Sequence, residues 1–241
     1  MAINVDLVYK TVLLILNKEQ RGYVTPEEFN KIGTQVQLEI FETYFEDLNQ
    51  QLRIPSNESE YADRQKNIDD KISIFKTTGD CIRTSPNLWF TPPTNMHRLG
   101  TVIHNGITEL QRAQKNDLLY INKSALTKPT TTYPIYTYER GGGTLATSGT
   151  PNIYVYPNSI TTGITASYIR KPADVVWAFT SGNLGQYVYS SADSVQFELD
   201  NTEQHILITK ILLYMGIIIQ DQQIIQIAAQ QAQAETINSK T

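Results

Sequence analysis

Between Asp117 and Pro172 the chain carries its densest β signal, and that stretch lies between segments whose apolar residues recur at helical spacing. Tyr, Thr, Ile and Val dominate it, with Ile153 and Val155 alternating with Tyr154 and Tyr156. Branched and aromatic residues at period two suit a pleated, half-buried surface, so three strands are predicted: Pro134 to Arg140, Asn152 to Tyr156 and Gly163 to Arg170. The Gly/Thr/Ser-rich stretch from Gly141 to Pro151 reads as the tip of a hairpin joining the first two. The expected fold is therefore α+β: a helical bundle formed by N- and C-terminal helices, with an antiparallel β-rich domain inserted between them. The expected boundaries are 1–71 for the N-terminal helical region, 72–195 for the β-rich domain and 196–241 for helices that pack back on the N-terminal ones.

The N-terminal helices have clear signals. Val5, Val8, Val12 and Ile15 form one stripe, and Leu7, Leu14 and Leu16 widen it, which predicts a helix from Val5 to Leu16 buried on more than one side. A second helix starts at Thr25, a good cap, with Pro26 at the first helical position and Glu28 placed to complete a capping box. Phe29, Ile32, Val36, Ile40, Tyr44, Leu48 and Leu52 then recur without a breaker until Pro55, with Phe41 and Phe45 beside them. That helix would be on the order of 40 Å long and needs partners along its length.

The linker between these helices, Asn17 to Glu28, has the spacing of an EF-hand calcium loop, with Gly22 at its sixth position and Glu28 at its twelfth. Its ligands do not fit: Asn17 stands where a carboxylate is wanted, and Arg21 puts a cation where an oxygen should face the metal. It reads instead as a turn between helices.

From Pro55 to Lys71 the sequence is polar, either a solvated helix or a connector. Residues 72 to 83 read as short strand-like pieces with a turn at Gly79 and Asp80. Trp89 and Phe90 precede a double proline, and Asn105-Gly106 predicts a type I′ hairpin between Met96–His104 and Ile107–Gln111. One or two helical turns are expected between Ala113 and Lys123. After the β block, Val175, Val176 and Trp177 lead back toward the body, and residues 180 to 193 read as a Gly/Ser/Tyr loop. Asp200 and Glu203 then suggest a second capping box ahead of Ile206 to Ile219, a run apolar on nearly every side. Too short for a bilayer and interrupted by Lys210, it reads as a buried helix.

Composition narrows function. A net charge of −4 and a pI near 5.4 argue against a surface that grips nucleic acid, since phosphate neutralisation needs clustered cations. The single cysteine, Cys81, cannot form an internal disulfide. The first residues show no secretory signal pattern. His97, His104 and His205 have no ligand partners at zinc spacing, the glycines at 141–143 lack the ending of a phosphate loop, and no nucleophile elbow is present. No catalytic residue, cofactor or metal site is predicted. Tyr133, Tyr136, Tyr138, Tyr154, Tyr156 and Tyr168 leave open a stacking platform for sugars, beside the alternative of cross-strand packing.

The segments DLVYKTVLLILNKEQRGYVTPEEFN, NKSALTKPTTTYPIY, IYVYP, ASYIRKPADVVW and FELDNTEQHILITKILLYMGIIIQD, in that order from Asp6 to about Gln230, resemble virion proteins of crAss-like bacteriophages. More specifically they are similar to the ring proteins of the head-to-tail connector that stack below the portal. The resemblance implies a non-enzymatic virion protein, made in the host cytoplasm and built into the neck. It further implies a closed homo-oligomeric ring, a dodecamer, docked on the portal protein and on neighbouring neck or tail rings. Double-stranded DNA would pass through without sequence-specific binding, and no membrane is involved. Phe41, Phe45, Ile217, Ile218 and Ile224 are the expected subunit-interface residues, because the helices that carry them hold more apolar surface than one chain easily covers. A tail-associated carbohydrate-binding or other accessory virion module is the alternative.

Overall fold

The structure, a computed structural model, describes residues 2–18, 24–51, 58–83, 88–139, 151–182, 185–219, 226–231, 233 and 234; at 18, 47–51, 58–65 and 217–219 it describes the backbone alone. The architecture is α+β, with N- and C-terminal helices flanking a central antiparallel β domain in the chain. Two compact units result: residues 1–74 with 172–241, and residues 75–171.

The first unit holds α1 (Val5–Lys18), α2 (Pro26–Gln51), α3 (Glu58–Ser73) and α5 (Gln204–Ile219). Asn4 starts α1, its side-chain oxygen accepting from the N–H groups of Asp6 and Leu7 at 2.9 and 3.1 Å. Val5, Val8, Val12 and Leu16 are fully buried, but Leu7 and Leu14 are 52% and 56% exposed. The expectation of burial on more than one side is therefore corrected: α1 buries one stripe. At α2 the capping box forms as the sequence predicts. The Thr25 N–H donates to Glu28 Oε2 at 2.9 Å, and the Glu28 N–H donates to Thr25 Oγ1 at 3.4 Å.

The chain returning from the β domain lies against a polar stripe on α2. Asn30, Thr34 and Gln37 recur at helical spacing, and each takes up backbone groups of that segment. The Trp177 N–H donates to Asn30 Oδ1 at 2.7 Å and the Val175 N–H to Thr34 Oγ1 at 3.0 Å. Gln37 donates to the Ala173 carbonyl at 2.8 Å and accepts from the Glu198 N–H at 2.9 Å. Residues 172 to 195 thus belong with the helices, and the division of the chain falls at Pro172 rather than at 195. Within that segment the expected loop is instead a hairpin, β9 (Phe179–Ser181) with β10 (Tyr187–Tyr189). Its aromatic rings hold it together: Trp177 packs on Tyr9, Phe179 and Tyr189 at centroid separations of 4.5, 5.9 and 5.7 Å.

The start of α5 differs from expectation too. Asp200 makes no side-chain capping bond to the 3-10 turn Asn201–Glu203 that leads into the helix; its carboxylate accepts from Thr202 Oγ1 at 2.7 Å. Glu203 is buried and pairs with Lys71 of α3. The lone cation of α5, Lys210, donates to Glu39 of α2 at 2.5 Å, and Tyr214 reaches the same carboxylate at 3.1 Å.

The second unit contains two sheets. One has the order β1 (Lys76–Asp80), β8 (Ile164–Arg170), β3 (Met96–His104) and β4 (Thr108–Glu109), all antiparallel. The other runs β2 (Trp89–Phe90), β7 (Asn152–Tyr156), β6 (Ile135–Glu139) and β5 (Gln111–Arg112), with only β5 and β6 parallel. The predicted strands at 134–140, 152–156 and 163–170 match β6, β7 and β8 within a residue. The hairpin at Asn105-Gly106 also forms, both residues at positive φ (51° and 72°) as a type I′ turn requires. Gly79 is no turn. It lies within β1 opposite Ala166, where an added Cβ would come within 3.2 Å of the Tyr168 ring. The predicted hairpin tip, Gly141 to Pro151, lies outside the described residues except for Pro151. Phe90, Val102, Leu110, Tyr136, Ile153, Val155, Ile164 and Ala166 form the shared core of this unit.

Candidate functional site

The sequence places its interface candidates on α2, α5 and the tail. Phe41 and Phe45 are 0% and 4% exposed and stack edge-to-face with centroids 5.1 Å apart. Both belong to the core of their own unit, so neither offers surface to a second subunit; the apolar face of α2 between Phe29 and Phe45 is covered within the chain. Ile217 and Ile218 lie in the last turn of α5 with their side chains outside the description, and Ile224 lies outside the described residues.

The tyrosines do not form one platform. Register pairs Tyr136 with Val155 and Tyr138 with Ile153, while Thr137 faces Tyr154 and Ile135 faces Tyr156. Directly paired residues share a face, so Tyr136 and Tyr138 lie on the core side and Tyr154 and Tyr156 on the opposite side. Tyr136 and Tyr168 are buried in the core. What remains on the outer face is a short ledge, with Trp89 and Tyr154 at 5.8 Å and the Lys115–Glu139 ion pair beside it at 2.6 Å.

Chemistry-bearing side chains are dispersed. Among the described residues no group of three or more His, Cys, Asp and Glu could hold a metal ion. Residues 19–23 of the EF-hand-like linker and the glycines at 141–143 fall outside those residues. Cys81 is buried, and burial together with the Asp80 charge pushes its thiol up to about 11, away from the reactive thiolate range.

Two surfaces stand out that the sequence does not single out. The first is the end of α4 (Lys115–Ile121) with the loop that follows it. Leu119, Tyr120, Leu126 and Tyr133 are all strongly exposed there, Leu126 at 97%. Its backbone is nonetheless tied down: Thr127 Oγ1 donates to the Ile121 carbonyl at 2.8 Å, the Lys128 N–H to the Ser124 carbonyl at 3.0 Å, and the Tyr133 N–H to Thr130 Oγ1 at 3.2 Å. In sequence this stretch looks like an ordinary polar connection, and only the outward direction of its apolar side chains distinguishes it.

The second surface is a cleft of about 500 Å³ lined by Asn67, Asp70, Lys71, Ile74, Asp200 and Thr202. The Lys71 charge is met by Glu203, leaving the Asp70 and Asp200 carboxylates beside the half-exposed Ile74. Lys71 Nζ also lies 5.5 Å from the centre of the Tyr44 ring. The Tyr44 hydroxyl is buried with no hydrogen-bond partner among the described residues, and burial, then the charges of Glu203 and Asp200, push its pKa up. The Thr202 hydroxyl holds Asp200 below the ordinary aspartate value, so its carboxylate stays charged at neutral pH.

No protein-family model matches the chain, and no curated protein matches its sequence.

Proposed function

We propose that this chain is a structural, non-enzymatic subunit of a crAss-like phage head-to-tail connector, assembling as a ring below the portal. The observation that carries the reading is the ordered series of segments from Asp6 to about Gln230 that resembles those ring proteins. Its α+β architecture is of the kind the resemblance implies. A protomer of a ring must offer different surfaces to its two neighbours, and the described residues hold apolar groups left uncovered in both units: Leu7 and Leu14 on α1, and Leu119, Tyr120, Leu126 and Tyr133 around α4. The acidic balance suits a conduit that lets DNA pass without holding it. On this reading the protein resides in the virion neck, between the portal and the next tail ring. No described helix is long and apolar enough to cross a membrane.

The test is light scattering and negative-stain imaging of the purified chain alone and with the portal protein of the same phage. A ring of this protein at one pole of the portal is the expected result. Absence of a complex at any salt concentration overturns the reading. A second reading, a carbohydrate-binding virion module, is favoured by the Trp89–Tyr154 ledge. It predicts glycan binding by the whole chain that Trp89→Ala abolishes.

A further inference from the structure

We propose that the segment from Leu119 to Tyr133 of one copy, the end of α4 with the loop after it, docks in the acidic cleft of a second copy, with Leu126 against Ile74 and Lys128 facing Asp70 and Asp200. This deepens the connector reading and rests on it for the premise that copies of the chain meet.

The loop is built as an inserting element. Scattered exposed apolar residues are ordinary, but here Leu119, Tyr120, Leu126 and Tyr133 cluster on a segment whose backbone is already fixed by its own hydrogen bonds. A loop held in one conformation gives up little entropy when it binds, so its apolar contacts are returned largely as affinity. The loop is also basic. Lys123 lies over the Tyr120 ring at 5.3 Å, and among the described residues Lys128 has no ion-pair partner.

The cleft complements it in charge and in kind. Among the described residues neither Asp70 nor Asp200 has an ion-pair partner, since the one cation in the lining, Lys71, is bound to the buried Glu203. Burial first, and then the charges of Glu203 and Asp200, raise the Tyr44 pKa on the inner side of the cleft. Ile74, which lines the same cleft, is 42% exposed, an apolar contact that nothing in its own unit covers fully. A ligand for such a cleft is an apolar side chain with a cation close by. Asp70 lies in the last turn of α3 and Ile74 just past its end, and Leu126 and Lys128 are two residues apart, so each surface carries its apolar and its charged group close together in the chain. Loop and cleft are different surfaces of the chain, so the contact is head-to-tail, the kind that closes a ring or extends a filament.

The experiment uses the full-length chain in two differently tagged forms, with association followed by sedimentation velocity and by pull-down, and folding followed by circular dichroism. Wild type self-associates, more weakly as salt is added. Lys128→Glu alone and Asp70→Lys alone each weaken self-association by about tenfold or more, because like charges then face each other. Mixing the two variants restores it, since each loop meets an oppositely charged cleft in the other variant. A folding defect cannot produce that rescue. The proposal is overturned if either single variant associates like wild type, if the mixture is not rescued, or if wild type stays monomeric up to about 100 µM. A chain that stays monomeric and still forms a ring on the portal loses this docking mode and keeps the connector function. Charge-swap rescue without any portal complex keeps the docking mode and removes the connector function.

Discussion

The helical unit and the β unit close their cores in different ways. In the helical unit the pieces come from opposite ends of the chain: Ile3 exchanges backbone hydrogen bonds with Phe197 at 3.1 and 3.2 Å, and Phe29 of α2 packs edge-on to Phe197 at 6.4 Å. Its polar side chains bind backbone, as Asn30, Thr34 and Gln37 do. The β unit is one continuous stretch whose partners are set by strand register and by the turn at Asn105-Gly106. Side chains join the distant segments of the first unit, whereas backbone pairing in register joins those of the second, including β1 and β3 to the distant β8. The first unit should therefore be sensitive to single buried side chains, and the second to backbone space.

The sharpest way to break that comparison is Phe197→Ala. It removes a fully buried ring from the junction of α2 with both chain ends, at an expected cost of about 3–5 kcal/mol. Trp177 reports the helical unit and Trp89 the β unit, so urea unfolding of the Trp89→Phe and Trp177→Phe forms reads them separately. The Trp177-reported midpoint should fall strongly and the Trp89-reported one little; equal shifts would contradict separate cores.

Next in size is Lys71→Met, which leaves Glu203 buried without its cation. The expected loss is about 2–3 kcal/mol, less than for a wholly buried pair because Lys71 is a third exposed. Adding Glu203→Gln should recover most of it, and failure to recover would mean the pair is not what binds α3 to the turn before α5.

In the β unit, Gly100→Ala brings a Cβ to 2.8 Å from the Ser167 carbonyl oxygen at the bulge in β3. A cost of about 1–3 kcal/mol in the Trp89-reported transition is expected. No change would show that the bulge absorbs the methyl group.

The smallest effect is Glu28→Ala, about 1 kcal/mol from loss of the capping box. Hydrogen bonds from the Thr25 N–H and hydroxyl hold the Glu28 carboxyl below its ordinary value. Its folded pKa is depressed, so its contribution is present in full above the unfolded value, roughly pH 4.3, and is lost as pH falls through the depressed one. The difference in stability between wild type and Glu28→Ala should accordingly shrink below about pH 4.

Much of the molecule was legible wherever neighbouring residues carry the signal. Thr25, Pro26 and Glu28 start α2, Asn105-Gly106 makes its turn, and the alternation through residues 152–156 yields β7, because caps, turns and pleats are decided within a few residues. Asp200 and Glu203 present the same local pattern as Thr25 and Glu28, yet Glu203 turns to Lys71, a residue distant in the chain that no spacing rule reaches.

The candidate surfaces were the least legible part. Phe41 and Phe45 look like excess apolar surface until other segments cover them, and Leu126 looks like one more loop residue until its side chain is seen outside. The sequence by itself settled the α+β class, the strands at 135–139, 152–156 and 164–170, and the start of α2 and the hairpin at Asn105-Gly106, which rest on short-range hydrogen bonding. Tertiary structure alone decided that residues 172–195 join the helices, that the tyrosines divide between two faces of a sheet, and which apolar side chains stay uncovered. Burial depends on which distant segment arrives at a given face, and in this chain that is settled by pairings such as Gln37 with Ala173 and Glu198, each more than a hundred residues apart.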